Sequence, residues 1–203
     1  MLKRLFPILV AGLMSMLAMP GLAEDSPQDT VQTSVGAILD LLKDDTMEKE
    51  TRRLKIRAII NERFDFRAMS QRTLATNWKK ASDEEKEQFV GLFSQLIENT
   101  YIGKIESYTN EKVEYPGETV KGRKAVVETL IITSSADIPV DYRLYEKDGK
   151  WLVYDVIIEG VSLISNYRSS YREIVSKEGF DGLLARMQDK IRELESQPDE
   201  QPA

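Results

Sequence analysis

Two periodicities divide the chain. Between residues 31 and 105 apolar side chains recur every three or four positions; between 112 and 158 they alternate or run together. The first half therefore predicts helices and the second a sheet. Ser26-Pro27 reads as a helix cap with proline at the first helical position, followed by Val31, Val35, Ile38, Leu39 and Leu42 at helical spacing. A second helix is predicted over residues 47–63, around Leu54, Ile56, Ile59 and Ile60. Phe64-Asp65-Phe66 interrupts it, and residues 69–78 read as a short third helix. Ser82, with Glu85 three positions on, forms a capping box and opens a long amphipathic helix. Its apolar face carries Phe89, Leu92, Phe93, Leu96, Ile97, Thr100 and Tyr101.

Four strands are predicted over residues 112–115, 125–133, 138–146 and 151–158. Asp148-Gly149 is a two-residue hairpin signal. That turn sets a register: Lys147 opposite Lys150, Leu144 opposite Val153, Tyr142 opposite Asp155 and Val140 opposite Ile157. One face then carries Val140, Tyr142, Leu144, Trp151, Val153 and Ile157, and it is the face the helices should cover. Asp155 becomes the one carboxylate on that face. Glu159-Gly160 joins the last strand to a helix through Leu163, Ile164, Tyr167, Tyr171, Ile174 and Val175, which Lys177-Glu178-Gly179 ends. A final helix is predicted over residues 180–194, and a polar tail over 196–203. Helices segregated on one antiparallel sheet of about four strands make an α+β fold, a single domain over residues 24–195.

The N-terminus changes the picture of location. Lys3 and Arg4 precede an uncharged apolar run, and Gly21-Leu22-Ala23 ends it with small residues. This predicts a secretory signal peptide over residues 1–23, cleaved after Ala23. A retained anchor is the competing reading, but the run is short and Pro20 interrupts it. Without the leader, 26 basic residues stand against 34 acidic ones, a formal charge of −8. Such a surface disfavours nucleic acid. The chain has no histidine and no cysteine. That removes the usual general base, the usual metal ligand and every triad built on histidine, so neither catalytic nor metal-binding residues are predicted.

Three stretches carry a family resemblance: FDFRAMSQRTLATNWKKAS from Phe64, EEKEQFVGLFSQLIENTYIGKIESY from Glu84, and WLVYDVIIEGVSLISNYRSSYREIVSKEGFDGLLARM from Trp151. Together they cover most of the chain beyond the leader. The most specific pattern is Trp-x-x-Tyr-Asp-Val-x-x-Glu-Gly-Val-Ser-Leu, which no ordinary strand-to-helix joint demands. The chain resembles the periplasmic phospholipid carriers of the Mla lipid-asymmetry pathway, also called the toluene-tolerance family. The resemblance implies a fold like nuclear transport factor 2, with a curved sheet and helices around an apolar pocket. It further implies a phospholipid cargo and no cofactor. The implied partners are an inner-membrane ABC transporter complex with an MCE-domain protein and an outer-membrane lipoprotein-porin complex; a monomer is expected.

Burying roughly 30 methylenes of two acyl chains is worth on the order of 25 kcal/mol relative to water. A carrier's pocket need only match a bilayer, and an apolar cavity does so without chemistry. The expected lining is Val127, Ile131, Val140, Tyr142, Leu144, Val153 and Ile157 from the sheet, with Phe93, Leu96, Ile97, Tyr101, Leu163, Ile164 and Tyr167 from the helices. Each of these residues could equally fill an ordinary core. Arg143 and Arg168 are headgroup candidates, with surface ion pairs as the alternative. A second function class stays open: an enzyme of the same fold using Asp155 or Tyr142 as acid or base on a small apolar substrate. For Asp155 the structural alternative is a cap, or a bond to Tyr142 or to a hydroxyl at the joint.

Overall fold

Side-chain caps set where most of the helices begin. In the computed structural model, which describes residues 25–108 and 111–196, Ser26 opens α1 (Pro27–Lys43) by exchanging hydrogen bonds with Asp29. Glu48 caps α2 (Lys49–Arg63), and Asp65 caps α3 (Phe66–Leu74) through the Ala68 amide at 2.8 Å. A 3-10 turn over Ala75–Lys79 follows α3. The Ser82–Glu85 capping box opens α4 (Asp83–Glu106) as its spacing predicts. The last helix, α5 (Leu163–Ser196), is broken at Gly179, whose φ of 76° interrupts the helical backbone where the sequence places an end. Ser196, the first residue of the expected polar tail, is the last residue of α5; the leader and residues 197–203 lie outside the described residues.

The sheet is a curved, open antiparallel meander in sequence order: β1 (Lys112–Lys121), β2 (Lys124–Ile132), β3 (Asp137–Lys147), β4 (Lys150–Ile158) and the two-residue β5 (Val161–Ser162). Asp148 and Gly149 both have positive φ, 51° and 74°, as a two-residue hairpin turn requires. Glu159 and Gly160 repeat this at 50° and 80°, so the joint to α5 is itself a miniature hairpin. β1 runs past Pro116-Gly117, where its ladder slips, and is longer than expected.

The expected register holds at Lys147–Lys150 and Leu144–Val153 and then fails. A bulge leaves Tyr154 as an extra residue in β4, so Arg143 faces Asp155, Tyr142 faces Val156 and Val140 faces Ile158. One inserted residue reverses the parity of every side chain beyond it. Val156 and Ile158 therefore join the inner face, while Ile157 pairs with Asp141 on the outer one. The Tyr154 ring meets Tyr145 edge-on and lies 4.4 Å beneath the Arg72 guanidinium, which gives the bulge a packing partner.

Two cores result. Between the sheet's inner face and α1 lie Val31, Val127, Val140, Leu144, Val153, Val156 and Leu163. Among α3, α4 and α5 lie Phe66, Met69, Phe89, Phe93, Leu96, Ile164, Tyr171, Leu183 and Met187, with others. Phe64 and Tyr101 touch both and mark the seam between them.

Candidate functional site

The joint after β4 is built around one carboxylate. Asp155 is buried, and its Oδ2 accepts from Ser162 Oγ at 2.8 Å and from Arg143 Nη1 at 3.1 Å. Its Oδ1 accepts from the Ile164 amide at 3.2 Å. Ser162 Oγ in turn accepts from the Ser165 amide at 3.1 Å, so the two side chains satisfy first-turn donors of α5 that would otherwise be orphaned. The bulge has moved Asp155 off the inner face: it shares the outer face with Arg143, while Tyr142, the neighbouring residue of β3, points inward. Asp155 and Tyr142, the two residues considered for an enzyme, thus lie on opposite faces of the sheet. Arg143 is held by Asp155, and Arg168 Nε donates to the Arg72 carbonyl at 2.8 Å, so both headgroup candidates have structural partners.

The open concavity lies elsewhere, between α2, the C-terminal half of α4 and α5. It is a cleft of about 1260 Å³, above the roughly 300–1,000 Å³ usual for drug-sized ligands. Leu96, Ile102, Tyr167, Tyr171, Ile174, Leu183, Met187 and Leu194 form its apolar lining. Thr100, Gly103, Lys104 and Ser107 line it from one stripe of α4, and Lys49, Arg52, Arg53 and Arg57 from one stripe of α2. Spacings of i, i+3, i+4 and beyond aim each stripe inward. Arg53 ties the two helices through Glu106 at 2.8 Å. Arg57 donates to Asn99 Oδ1 at 2.7 Å and lies 3.7 Å from Glu98.

Large aromatic rings hold the inner end of this cleft. Phe93 meets Tyr167 edge-on at 5.4 Å between centroids, and Tyr167 meets Tyr171 at 5.4 Å. Burial pushes the Tyr101 hydroxyl up to about 12, helped by the nearby Tyr167. Burial also raises the Tyr167 and Tyr171 hydroxyls, and that of Tyr142 on the sheet. The Tyr171 hydroxyl is buried without a hydrogen-bond partner.

The expected lining divides between these regions. Val127, Ile131, Val140, Tyr142, Leu144, Val153 and Leu163 belong to the sheet core, with Val127 opposite Tyr142 and Ile131 opposite Ile138. Phe93, Leu96, Ile97, Ile164 and Tyr167 belong to the helical core, and Tyr101 bridges the two. Leu96 and Tyr167 line the cleft. Ile157, on the opposite face, belongs to neither core. The sequence reading of α2 rests on its apolar positions Leu54, Ile56, Ile59 and Ile60 and leaves out the Lys49, Arg52, Arg53 and Arg57 stripe, although its helical spacing is plain in the sequence. Ile174 is placed on a helix and Leu183 and Met187 lie within the predicted final helix, but none of the three is in the expected lining.

Comparison with known proteins agrees with this architecture. A phospholipid-binding protein from Ralstonia solanacearum, solved in complex with a phospholipid, superimposes with a TM-score of 0.76 at 25% identity, covering 83% of this chain and 98% of that one. The intermembrane phospholipid transport system binding protein MlaC of Haemophilus influenzae is 25% identical over 198 residues, 92% of each chain. The toluene tolerance protein ttg2D of Pseudomonas putida is 25% identical over 187 residues, 86% of each. Residues 32–189 match the MlaC protein family, and the chain belongs to it.

Proposed function

We propose that this protein is a phospholipid-binding transport protein that works without catalysis. In this reading it acts in the periplasm as a monomer. It passes lipid between an outer-membrane lipoprotein-porin complex and an inner-membrane ABC transporter complex containing an MCE-domain protein, and so maintains lipid asymmetry. The observation that carries the proposal is the cleft: large, apolar within and charged at its mouth. The family assignment and the phospholipid held by the Ralstonia protein support it. Among the described residues no helix is long and apolar enough to cross a membrane.

Acyl chains would lie against Leu96, Tyr167, Ile174, Leu183 and Met187, leaving the headgroup at the mouth. Longer chains would part the seam at Phe64 and Tyr101 and reach the sheet residues Val127, Val140, Tyr142, Leu144 and Leu163. Chain burial is non-directional and needs no chemistry from the protein.

Gly103 offers a direct test. It lines the cleft, and a Cβ added there meets nothing within 4 Å. Gly103→Trp should therefore fill the cleft while removing a helix-weakening glycine. The wild type, purified without detergent and weighed by native mass spectrometry, should carry phospholipid. The variant should carry on the order of tenfold less, with an unchanged or higher melting temperature. A wild type that arrives bare and extracts no lipid from vesicles would overturn the proposal.

A further inference from the structure

The charges at the mouth of the cleft are not evenly matched. Its three carboxylates are all engaged: Glu50 and Glu106 by Arg53, at 3.3 and 2.8 Å, and Glu195 by Asn99 at 3.3 Å. Arg186 and Lys190 are bound by Glu178 and Glu193. Arg52 and Lys104 differ. Both line the cleft, one from α2 and one from α4, and neither side chain has a hydrogen bond or ion pair among the described residues. The Arg52 Nε is buried with no partner. A guanidinium N–H withdrawn from water without an acceptor is costly, and an anionic oxygen is what it lacks. The Arg53–Glu106 bridge ties the two helices one residue after Arg52 and two after Lys104.

We infer that Arg52 and Lys104 bind the phosphate of the cargo, and that the cleft selects phospholipids of net negative charge over zwitterionic ones. The inference rests on the carrier reading above and adds a headgroup class to it. An anionic headgroup brings oxygens to two unpaired cations. A zwitterionic one brings an ammonium as well, and every carboxylate lining the cleft already has a partner. The selection also runs against the chain's own charge of −6. It therefore has to come from local contacts rather than from the long-range field.

The test is loading from vesicles of equal phosphatidylglycerol and phosphatidylethanolamine with identical acyl chains, read by mass spectrometry of the bound lipid. Two partly exposed charge contacts should enrich phosphatidylglycerol roughly three- to tenfold at low salt, and less at high salt. The double variant R52Q/K104Q should carry the two lipids in the vesicle ratio. R52K, which keeps the charge, should retain part of the selection, and K55Q, an exposed α2 position outside the cleft, should retain all of it. Thermal melts check that each variant is folded. Inorganic phosphate alone should leave the NMR signals of Arg52 and Lys104 unshifted, since it lacks the chains that bring a headgroup there. Saturable shifts with phosphate would reassign the site to a free oxyanion and overturn the inference. A wild type that loads lipid in the vesicle ratio would overturn it while leaving the carrier reading intact; one that loads no lipid would sink both.

Discussion

The sheet core and the helical core are both apolar, and the open cleft described above borders the second. The sheet core is aliphatic and rich in valine: Val31, Val127, Val140, Val153 and Val156 surround Leu144. A β-ladder holds facing residues about 4.5–5.5 Å apart, so the backbone itself closes the space between them. The helical core is built from Phe89, Phe93, Tyr171, Leu183 and Met187. Helices stand at distances set by the side chains at their contacts, about 8–10 Å between axes. The rings of Phe93, Tyr167 and Tyr171 pack between α4 and α5, and the cleft opens where Leu96, Ile174, Leu183 and Met187 line it. Apolar periodicity thus marks which residues point inward in both regions, but backbone geometry decides whether the inward space is filled.

The largest expected effect tests that difference directly. Leu144 is fully buried in the sheet core. Leu144→Ala should cost about 2–5 kcal/mol by urea denaturation, because the ladder cannot collapse around the void. Ile174→Ala on the cleft wall should cost about half as much or less, since it enlarges a space already open. Equal losses would mean that the two cores close alike.

Asp155→Ala comes next, at about 2 kcal/mol, because it removes a buried cap and its hydrogen bonds. It would release Ser162 and uncap Ile164, while Arg143, partly exposed, returns to water. Asp155→Asn, which keeps acceptor and donor capacity, should recover part of this. A loss of lipid loading without a loss of stability would contradict the purely structural role assigned to this carboxylate.

The limits of the sequence lie at particular residues. Caps at Ser26 and Ser82 and the turn at Asp148-Gly149 were legible because each depends on its own few residues. The bulge at Tyr154 was not, because its partners Tyr145 and Arg72 sit on other elements. That one unread residue misplaced Ile157 and put Asp155 on the wrong face. The Glu159-Gly160 joint reads in the sequence only as a link from strand to helix, yet the pair Ile158–Val161 makes it a hairpin. The cleft was hidden for a related reason. Tyr167 and Leu96 were identified as inward-facing, but the distance of α2 from them depends on tertiary packing and on Arg53–Glu106, residues 53 positions apart.

A smaller effect concerns the one unsatisfied polar atom in the aromatic cluster. Tyr171→Phe removes a buried hydroxyl that has no partner, so it should be neutral or stabilising, by about 1 kcal/mol. The same change in the sheet core, Thr129→Val, removes a hydroxyl that donates to the Val140 carbonyl at 2.6 Å. It should destabilise by a similar amount. The melting temperature should therefore fall for Thr129→Val and stay level or rise for Tyr171→Phe. A destabilised Tyr171→Phe would show that the phenol has a partner in solution.

The smallest effect separates the outer face of the sheet from the cleft by pH. Burial works to raise the Asp65 carboxyl, but hydrogen bonds from Tyr145 and the Ala68 amide, with Lys147 at 3.5 Å, outweigh it and hold the group below its ordinary value of 3.8. A depressed carboxylate contributes stability that is present above 3.8 and lost as pH falls through the folded value. Tyr145 behaves oppositely: burial, then the bond to Asp65, pushes its hydroxyl up to about 12, so its contribution is present below 10.0 and lost as pH rises towards 12. The Tyr101 hydroxyl at the seam, also up to about 12, has no such acid limb. Asp65→Asn keeps a competent cap for α3 while removing the charge. The stability gap between wild type and variant should be flat through neutral pH and narrow below 3.8. A gap that stayed constant in acid would show that Asp65 contributes only its cap, and that this corner of the sheet is as insensitive to protons as the apolar cores.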